Sequence, residues 1–172
     1  MKKLLLSLAL VAGLGFAASA QTEGAVQKLS IGAEFALPVG DLSTGYSLGY
    51  GGSLQYEHPV AKSFNLTGSA GYISMSPKKE WKDLGFKNQG TIPVKVGGKY
   101  YFGGNFYGAA ELGAAFSTET GGSTAFAYSP GLGASFSVAD KSSLDFGVRY
   151  EGWSNNGTAS FVGLRLAYAF GL

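Results

Sequence analysis

Residues 162–170 read VGLRLAYAF, and this stretch alternates strictly between large apolar residues and residues that are small or charged. A period of two is typical of a β-strand whose faces meet different surroundings, because successive side chains point to opposite sides of the backbone. One face carries Val162, Leu164, Leu166, Tyr168 and Phe170. The other carries Gly163, Arg165 and Ala167. The stretch therefore predicts a strand with one apolar side and one side that holds a charge.

The same alternation recurs in seven earlier segments, and no long apolar run with helical periodicity follows Gln21. We predict eight strands, over residues 28–37, 47–57, 64–74, 91–101, 106–116, 125–138, 143–151 and 159–170. The longer connections are predicted at 38–46, 75–90, 117–124 and 152–158, and the shorter ones at 58–63, 103–105 and 139–142. Long and short connections therefore alternate along the chain. This order is typical of an up-and-down barrel with external loops at one end and periplasmic turns at the other.

The orientation of the two faces separates a membrane barrel from a soluble one. Most strand glycines share a face with the strand charges, and the large apolar residues occupy the opposite face. Small residues and paired charges suit the narrow interior of an eight-stranded barrel, whereas a soluble lipocalin-type barrel has the reverse orientation. Strands of about ten residues, tilted by about 40°, give roughly 25 Å of height, which matches the apolar band of outer-membrane barrels. The sequence therefore predicts an all-β protein, an eight-stranded antiparallel up-and-down transmembrane β-barrel in the outer membrane.

Aromatic residues cluster near both ends of the predicted strands, as in the two interfacial girdles of membrane barrels. Towards the turns these residues are Tyr56, Phe64, Tyr100, Phe106, Phe136, Tyr168 and Phe170. Towards the loops they are Tyr50, Tyr72, Phe116, Phe126 and Tyr150. Two prolines interrupt the strands: Pro93 lies near the outer start of its strand, and Pro130 lies well inside its strand. At Pro130 we expect a bulge or a locally missing hydrogen bond.

The inward face is predicted to carry a network of opposite charges. Buried charges are costly unless they are paired and hydrogen-bonded. The candidates, four acidic and four basic, are Glu34, Glu57, Glu111, Asp145, Lys95, Lys99, Arg149 and Arg165. Because eight strands leave room only for side chains or one small ligand, we expect the network to plug the interior. The alternative function for the same residues is a gated polar path.

Residues 1–20 have the three parts of a secretory signal peptide. Two lysines precede the uncharged apolar stretch 4–16, and the small residues at 17–20 provide an A-x-A cleavage motif. The apolar stretch is shorter than the roughly 17–25 residues that a membrane-spanning helix needs. We therefore predict a cleavable signal peptide at 1–20 and one outer-membrane barrel domain at 21–172.

Composition excludes several classes of function. Removal of the signal leaves 11 of the 13 basic residues against 11 acidic ones, so we expect no nucleic-acid partner. The chain has no Cys and a single His, His58, which excludes thiolate and multi-histidine metal sites. No nucleotide-binding or metal-binding motif is present, so we expect no cofactor and no metal. His58 falls in the predicted periplasmic turn, away from Ser154 and Ser160 near the outer rim, which disfavours Ser–His catalysis.

The predicted loop at 75–90 is the strongest candidate for a surface contact. It holds four lysines against two acids, and aromatic residues lie among them. The candidate contact residues are Lys78, Lys79, Trp81, Lys82, Phe86 and Lys87. The charge suits lipopolysaccharide phosphates or a host or neighbour surface. A solvated hydrophilic loop without a partner is the alternative, because loops are also the usual place for lysine.

Four motifs of the predicted strands carry a family resemblance. They are LPVGDLS at 37–43, GYGG at 49–52, IPVKVGGKYYF at 92–102 and FYGAAELG at 106–113. In these motifs the chain resembles small outer-membrane β-barrel proteins of the OmpA/OmpX-like type, and most closely the β-barrel domain proteins abundant in Bacteroidetes. The resemblance covers the mature chain and implies an outer-membrane barrel. The family includes structural proteins and adhesins, so it does not imply one biological role.

We expect a non-enzymatic integral outer-membrane protein that serves envelope integrity or surface interaction through its loops. Its expected partners are outer-membrane lipid and lipopolysaccharide, a surface partner at the loops, and the barrel assembly machinery, which reads the alternating C-terminal strand during insertion. One alternative is an outer-membrane barrel enzyme that modifies lipid A. Another is a soluble periplasmic barrel that carries a small ligand.

Overall fold

The computed structural model describes residues 26–172, so the predicted signal peptide at 1–20 lies outside the described residues. The eight strands are β1 (Lys28–Val39), β2 (Tyr46–Ala61), β3 (Phe64–Pro77), β4 (Gln89–Gly103), β5 (Phe106–Ser117), β6 (Thr124–Ala139), β7 (Ser142–Ser154) and β8 (Thr158–Gly171). Each strand pairs antiparallel with the next, and β8 pairs with β1 over twelve residue pairs, which closes the barrel. The predicted eight-stranded antiparallel up-and-down barrel is confirmed.

The two ends of the barrel have different connections. The loop end carries residues 40–45, 78–88, 118–123 and 155–157, and the turn end carries residues 62–63, 104–105 and 140–141. Two short helices lie in the first two loops, α1 (Leu42–Gly45) and α2 (Lys79–Asp83). No helix among the described residues has the length and apolar character needed to cross a bilayer. Longer loops on one side are typical of the external end of such barrels.

The strands are longer than predicted, and the prediction of a long connection at 152–158 is wrong. Only three residues separate β7 from β8. Asn156 has a φ of 51° and is followed by Gly157. Asn-Gly favours a tight hairpin turn, because both residues tolerate positive φ. The loop predicted at 75–90 likewise shortens to 78–88, because β3 continues to Pro77 and β4 begins at Gln89.

The outward face of the barrel is apolar, and the inward face holds the charges. No Asp, Glu, Lys or Arg of the eight described strands has the outward parity. Val96 and Leu132, near the middle of their strands, are 67% and 64% exposed. A continuous belt of exposed apolar side chains is unfavourable in water, whereas lipid acyl chains solvate it well. The arrangement is the reverse of the soluble ligand-carrying barrel.

Pro93 and Pro130 each interrupt one side of the hydrogen-bond ladder. The β3–β4 pairing lapses for two residue pairs beside Pro93, and the β6–β7 pairing lapses for two pairs beside Pro130. The register is the same on both sides of each gap, so neither proline causes a bulge. Proline lacks the N–H that the ladder needs, which explains the gaps. On their other side the prolines stay paired, Pro93 with Ala115 and Pro130 with Ala110.

Candidate functional site

Nine charged side chains inside the barrel form one unbranched chain of ion pairs. Eight ion pairs join them in the order Glu57, Lys99, Asp145, Arg165, Glu34, Arg149, Glu151, Lys95 and Glu111. The signs alternate along the chain, which begins and ends with an acid. The structure thus brings together all eight charges predicted for the interior and adds Glu151.

The part of the chain nearer the turn end is centred on Lys99. Its Nζ lies 2.6 Å from Glu57 Oε1 and 3.1 Å from Asp145 Oδ2. The same ammonium lies 4.1 Å from the centroid of the Tyr107 ring. The Tyr107 hydroxyl donates a 2.7 Å hydrogen bond to Asp145 Oδ1. The ring lies over Gly133, where a Cβ would overlap it. Two carboxylates and a ring face therefore stabilise a fully buried ammonium.

The part nearer the loop end is centred on Glu151. Arg149 Nε lies 2.6 Å from Glu151 Oε2, and Lys95 Nζ lies 2.9 Å from the same oxygen. Arg149 Nη1 also lies 2.7 Å from Glu34 Oε2. Lys95 continues the chain to Glu111 at 3.7 Å. One carboxylate therefore holds two cations together in the interior.

Arg165 joins the two parts. Its Nε lies 3.4 Å from Glu34 Oε1, and its Nη1 lies 3.9 Å from Asp145 Oδ1. Two serines complete its surroundings: Nε donates to Ser53 Oγ at 2.9 Å and Nη2 donates to Ser30 Oγ at 3.0 Å. Nη1 has no hydrogen-bond partner among the protein atoms described. The junction is thus the loosest part of the chain of ion pairs.

Neutral donors surround the acids at both ends of the chain. Glu111 accepts hydrogen bonds of 2.9–3.0 Å from Gln55, Thr67 and Ser69. Glu57 accepts hydrogen bonds from Asn65 at 3.1 Å and from Tyr101 at 3.3 Å. Each terminal acid has one cation within ion-pair distance, and these donors satisfy the oxygens that this cation leaves.

Sequence reasoning left Glu151 out of the network, although it shares the inward parity of Asp145 and Arg149. Glu151 stands at the end of the predicted strand 143–151, where a side chain would be near the rim. The strand in fact continues to Ser154, and Glu151 is completely buried. The predicted balance of four acids and four bases is therefore corrected to five acids and four bases.

Between the charges and the loop end, the interior is apolar. This apolar layer consists of Ala36, Ile73, Met75, Ala115, Ala127, Trp153 and Phe161. The rings of Trp153 and Phe161 meet edge to face, with centroids 5.0 Å apart, and Leu42 of α1 packs against the layer. Trp153 Nε1 donates a 2.8 Å hydrogen bond to Glu151 Oε1, which links the two layers. A polar plug is therefore only part of what fills the interior.

A small cavity remains among the charged side chains. It has a volume of about 70 Å³ and is bordered by Gln55, Lys95, Glu111, Arg149 and Arg165. Each water molecule needs about 10–15 Å³ of such space, so a few waters fit among these side chains. Pockets for drug-sized ligands are larger, about 300–1,000 Å³.

The residues considered for catalysis lie at opposite ends of the barrel. His58 lies in β2 rather than in the predicted turn, because the strand continues to Ala61 at the turn end. The Tyr56 hydroxyl lies 3.4 Å from its Nδ1. Ser154 and Ser160 lie at the loop end, where the Tyr150 hydroxyl donates to Ser160 Oγ. Among the described residues, no group of His, Asp and Glu side chains is arranged to hold a metal ion.

The loop at 78–88 exposes most of its predicted contact residues. Lys78 is half-buried, and those exposed are Lys79, Trp81, Lys82, Phe86 and Lys87. The rings of Trp81 and Phe86 meet edge to face, with centroids 5.1 Å apart. Sequence reasoning missed Leu84, which is 74% exposed beside them. Its position as an apolar residue in a lysine-rich loop could have identified it as a contact candidate.

Solved structures share this architecture. Ail, the attachment invasion locus protein of Yersinia pestis, is 19% identical, with a TM-score of 0.57, and the match covers 84% of this chain and 99% of Ail. Neisserial surface protein A is 15% identical, with a TM-score of 0.63 and coverage of 85% and 97%. The chain has the fold of a small outer-membrane β-barrel. OprG from Pseudomonas aeruginosa is 12% identical, with a TM-score of 0.56, and the match covers 86% of this chain and 96% of OprG.

No family model and no curated protein match the barrel by sequence. Likeness to structures of such low identity establishes its fold. The outer-membrane location follows from that fold together with the apolar belt and the inward charges. The resemblance to barrel proteins of Bacteroidetes stays a prediction, since the three structures come from other bacteria.

Proposed function

We propose that this protein is a non-enzymatic integral outer-membrane barrel that acts at the cell surface through its loops and does not conduct large solutes. The observation that carries the proposal is the filled interior. Nine charges engage one another, an apolar layer covers them, and the cavity among the charges has a volume of only about 70 Å³. A barrel built in this way can meet other molecules only at its outer surfaces.

The positions of the polar side chains support a non-enzymatic role. An enzyme that modifies lipid A needs an activated nucleophile or base near the outer leaflet. The single His lies at the turn end, and the interior acids are engaged by cations. Lipid and lipopolysaccharide then surround the apolar outward face of the barrel. The assembly machinery acts on the barrel during insertion.

Loop 78–88 supports a role in surface contact. It projects from the loop end and carries four lysines against two acids. Ail has been solved in complex with the heparin analogue sucrose octasulfate, so a barrel of this fold can bind a polyanion. The charge of loop 78–88 has the sign that such a contact requires.

Conductance measurements test the closed interior. We expect the refolded barrel to give no stable porin-sized conductance in planar bilayers, because the ion-paired side chains and the apolar layer occupy its interior. A porin inserted into the same bilayer serves as the positive control, and slower migration of the boiled form on a denaturing gel checks folding. A reproducible large channel from the folded protein would contradict the proposal.

A further inference from the structure

We propose that loop 78–88 docks onto an anionic lipid bilayer that faces the external side of the barrel. The docking residues, which we call the loop tip, are Trp81, Lys82, Leu84, Phe86 and Lys87. This inference rests on the proposed surface role and names the partner of the same loop.

The loop tip exposes three large apolar side chains. Trp81, Leu84 and Phe86 are 42%, 74% and 57% exposed. Exposed apolar side chains that are grouped and surrounded by polar ones mark interaction sites. Tryptophan in particular favours the interface between water and lipid, because its ring is apolar and its N–H is polar. The Trp81–Phe86 contact keeps these rings together in one patch.

The charge around the patch selects an anionic partner. Lys82 and Lys87 are exposed in the loop tip, next to the exposed acids Glu80 and Asp83, and loop 78–88 as a whole has two more basic residues than acidic ones. Lysines near an anionic membrane are attracted to it individually, while their apolar stems lie along the lipid. A sulfated polysaccharide would use the lysines but offers no apolar surface to Leu84 and Phe86. An anionic bilayer satisfies both parts of the loop tip.

The height of the loop favours a facing bilayer over the barrel's own leaflet. In β3 the outward positions are apolar up to Tyr72 and then continue as Ser74 and Ser76, so the belt ends near Tyr72. Five further residues lead to Pro77, and they rise by about 13 Å at the usual strand spacing and tilt. Phospholipid headgroups extend only about 5–8 Å beyond the hydrocarbon core. The loop tip therefore begins above the headgroups of a surrounding phospholipid leaflet.

The base of the loop is held in place. Lys78 N–H donates a 2.9 Å hydrogen bond to the Gly45 carbonyl oxygen in the neighbouring loop. The Asn88 side chain donates to the Tyr50 hydroxyl at 3.2 Å and accepts from Ser76 Oγ at 3.2 Å. A loop that is already ordered loses less conformational entropy when its tip binds.

Separate membranes distinguish a facing bilayer from the barrel's own. The barrel is placed in phosphatidylcholine nanodiscs, and vesicles that contain phosphatidylglycerol are added. We expect the nanodiscs to float with these vesicles and to bind pure phosphatidylcholine vesicles at least tenfold more weakly. Brominated lipid in the vesicles should quench Trp81 fluorescence. The Trp81→Phe variant should show no quenching, because Trp153 is enclosed in the apolar layer.

Paired variants separate the apolar and charged contributions. Leu84→Ala with Phe86→Ala should weaken vesicle binding at least tenfold, whereas Phe102→Ala, an exposed aromatic at the turn end, should leave it unchanged. Lys82→Gln with Lys87→Gln should weaken binding by about fivefold per lysine. The matched lysine control is Lys62→Gln with Lys141→Gln, since both residues lie in turns at the opposite end.

Three results would overturn the inference. The first is quenching only when the brominated lipid is in the barrel's own nanodisc. The second is binding of sucrose octasulfate or heparin through the lysines without vesicle binding. The third is a loop-tip variant that binds vesicles as the unaltered protein does. Loss of cell-surface adherence on loop deletion, without lipid binding, would leave the proposed surface role standing.

Discussion

Glu151 forms ion pairs with two cations in the part of the barrel interior nearer the loop end. Its Oε2 lies within 2.9 Å of both Lys95 Nζ and Arg149 Nε, and its Oε1 accepts the hydrogen bond from Trp153. Burying a carboxylate is expensive, and partners on every side compensate for the lost water. At the scale of single residues, the interior is therefore stable only as a complete set of pairs.

We predict that Glu151→Gln lowers the free energy of unfolding by about 3–5 kcal/mol, because it leaves two buried cations without their shared carboxylate. Glu111→Gln should cost less, since Glu111 has one ion pair, at 3.7 Å, and an amide oxygen in place of Oε1 can still accept the hydrogen bonds from Gln55 and Thr67. Urea unfolding of the barrel in lipid vesicles measures both values.

The exposed acid Glu119 provides the control for this series. Glu119→Gln in loop 118–123 should change the free energy of unfolding by less than about 0.5 kcal/mol. If Glu151→Gln were as mild as Glu119→Gln, the chain of ion pairs would not be an important contribution to stability.

Strand β8 shows how one element serves both sides of the barrel wall. Leu164, near its middle, is exposed on the outward face opposite Phe35 and Val148. Its neighbour Gly163 faces inward, and a Cβ there would lie 3.0 Å from Arg149 Cζ. The outward position therefore needs bulk and no charge, whereas the inward position needs space for a guanidinium.

We predict that Leu164→Arg impairs insertion, because an arginine facing lipid near the bilayer midplane costs about 2–4 kcal/mol. Gly163→Ser should be milder, since the flexible end of the Arg149 side chain can move away from the added atoms. Leu164→Ala removes the bulk without adding charge and serves as the control. The yield of the heat-modifiable folded form in vesicles compares the three, and equal yields from Leu164→Arg and Leu164→Ala would show that this face does not contact lipid.

Closure of the barrel is a property of the whole molecule. The seam between β8 and β1 pairs residues near the two ends of the described chain, from Lys28 with Gly171 to Val39 with Ser160. An open barrel would expose unpaired backbone groups of both edge strands to lipid, where no water can satisfy them. The seam therefore stabilises every other strand pair indirectly.

We predict that removal of residues 168–172 abolishes insertion and leaves a periplasmic species that is degraded. These residues include the last four partners of β1 in the seam and the aromatic end of the strand that the assembly machinery is expected to read. Removal of residues 79–87, in contrast, should leave an inserted barrel, because this loop lies outside all eight strands. Membrane fractionation followed by surface proteolysis measures both, and normal insertion of the truncated seam would refute this account of closure.

The strands and their faces could be predicted because the information for them is local. A period of two along residues 162–170 assigns each side chain to a face without knowledge of any other strand. The same parity identified the eight inward charges. The parity pattern underestimated the length of the strands, because hydrogen bonding to the neighbouring strands continues β7 past the predicted end at residue 151. Glu151 is therefore buried in the interior and does not lie at the rim.

The sequence by itself determined the barrel class, the number of strands and the side on which each charge lies, since these follow from alternation and from the cost of burying unpaired groups. Only the tertiary structure decided which charges meet. Lys95 and Glu151 are 56 positions apart, and Arg165 and Ser30 are 135 apart, yet each pair is in contact. Their meeting depends on the register of every intervening strand and on the closure of β8 against β1, which no local pattern contains. The order of the ion pairs, the apolar layer between them and the loop end, and the exposed patch on loop 78–88 therefore exist only in the folded barrel.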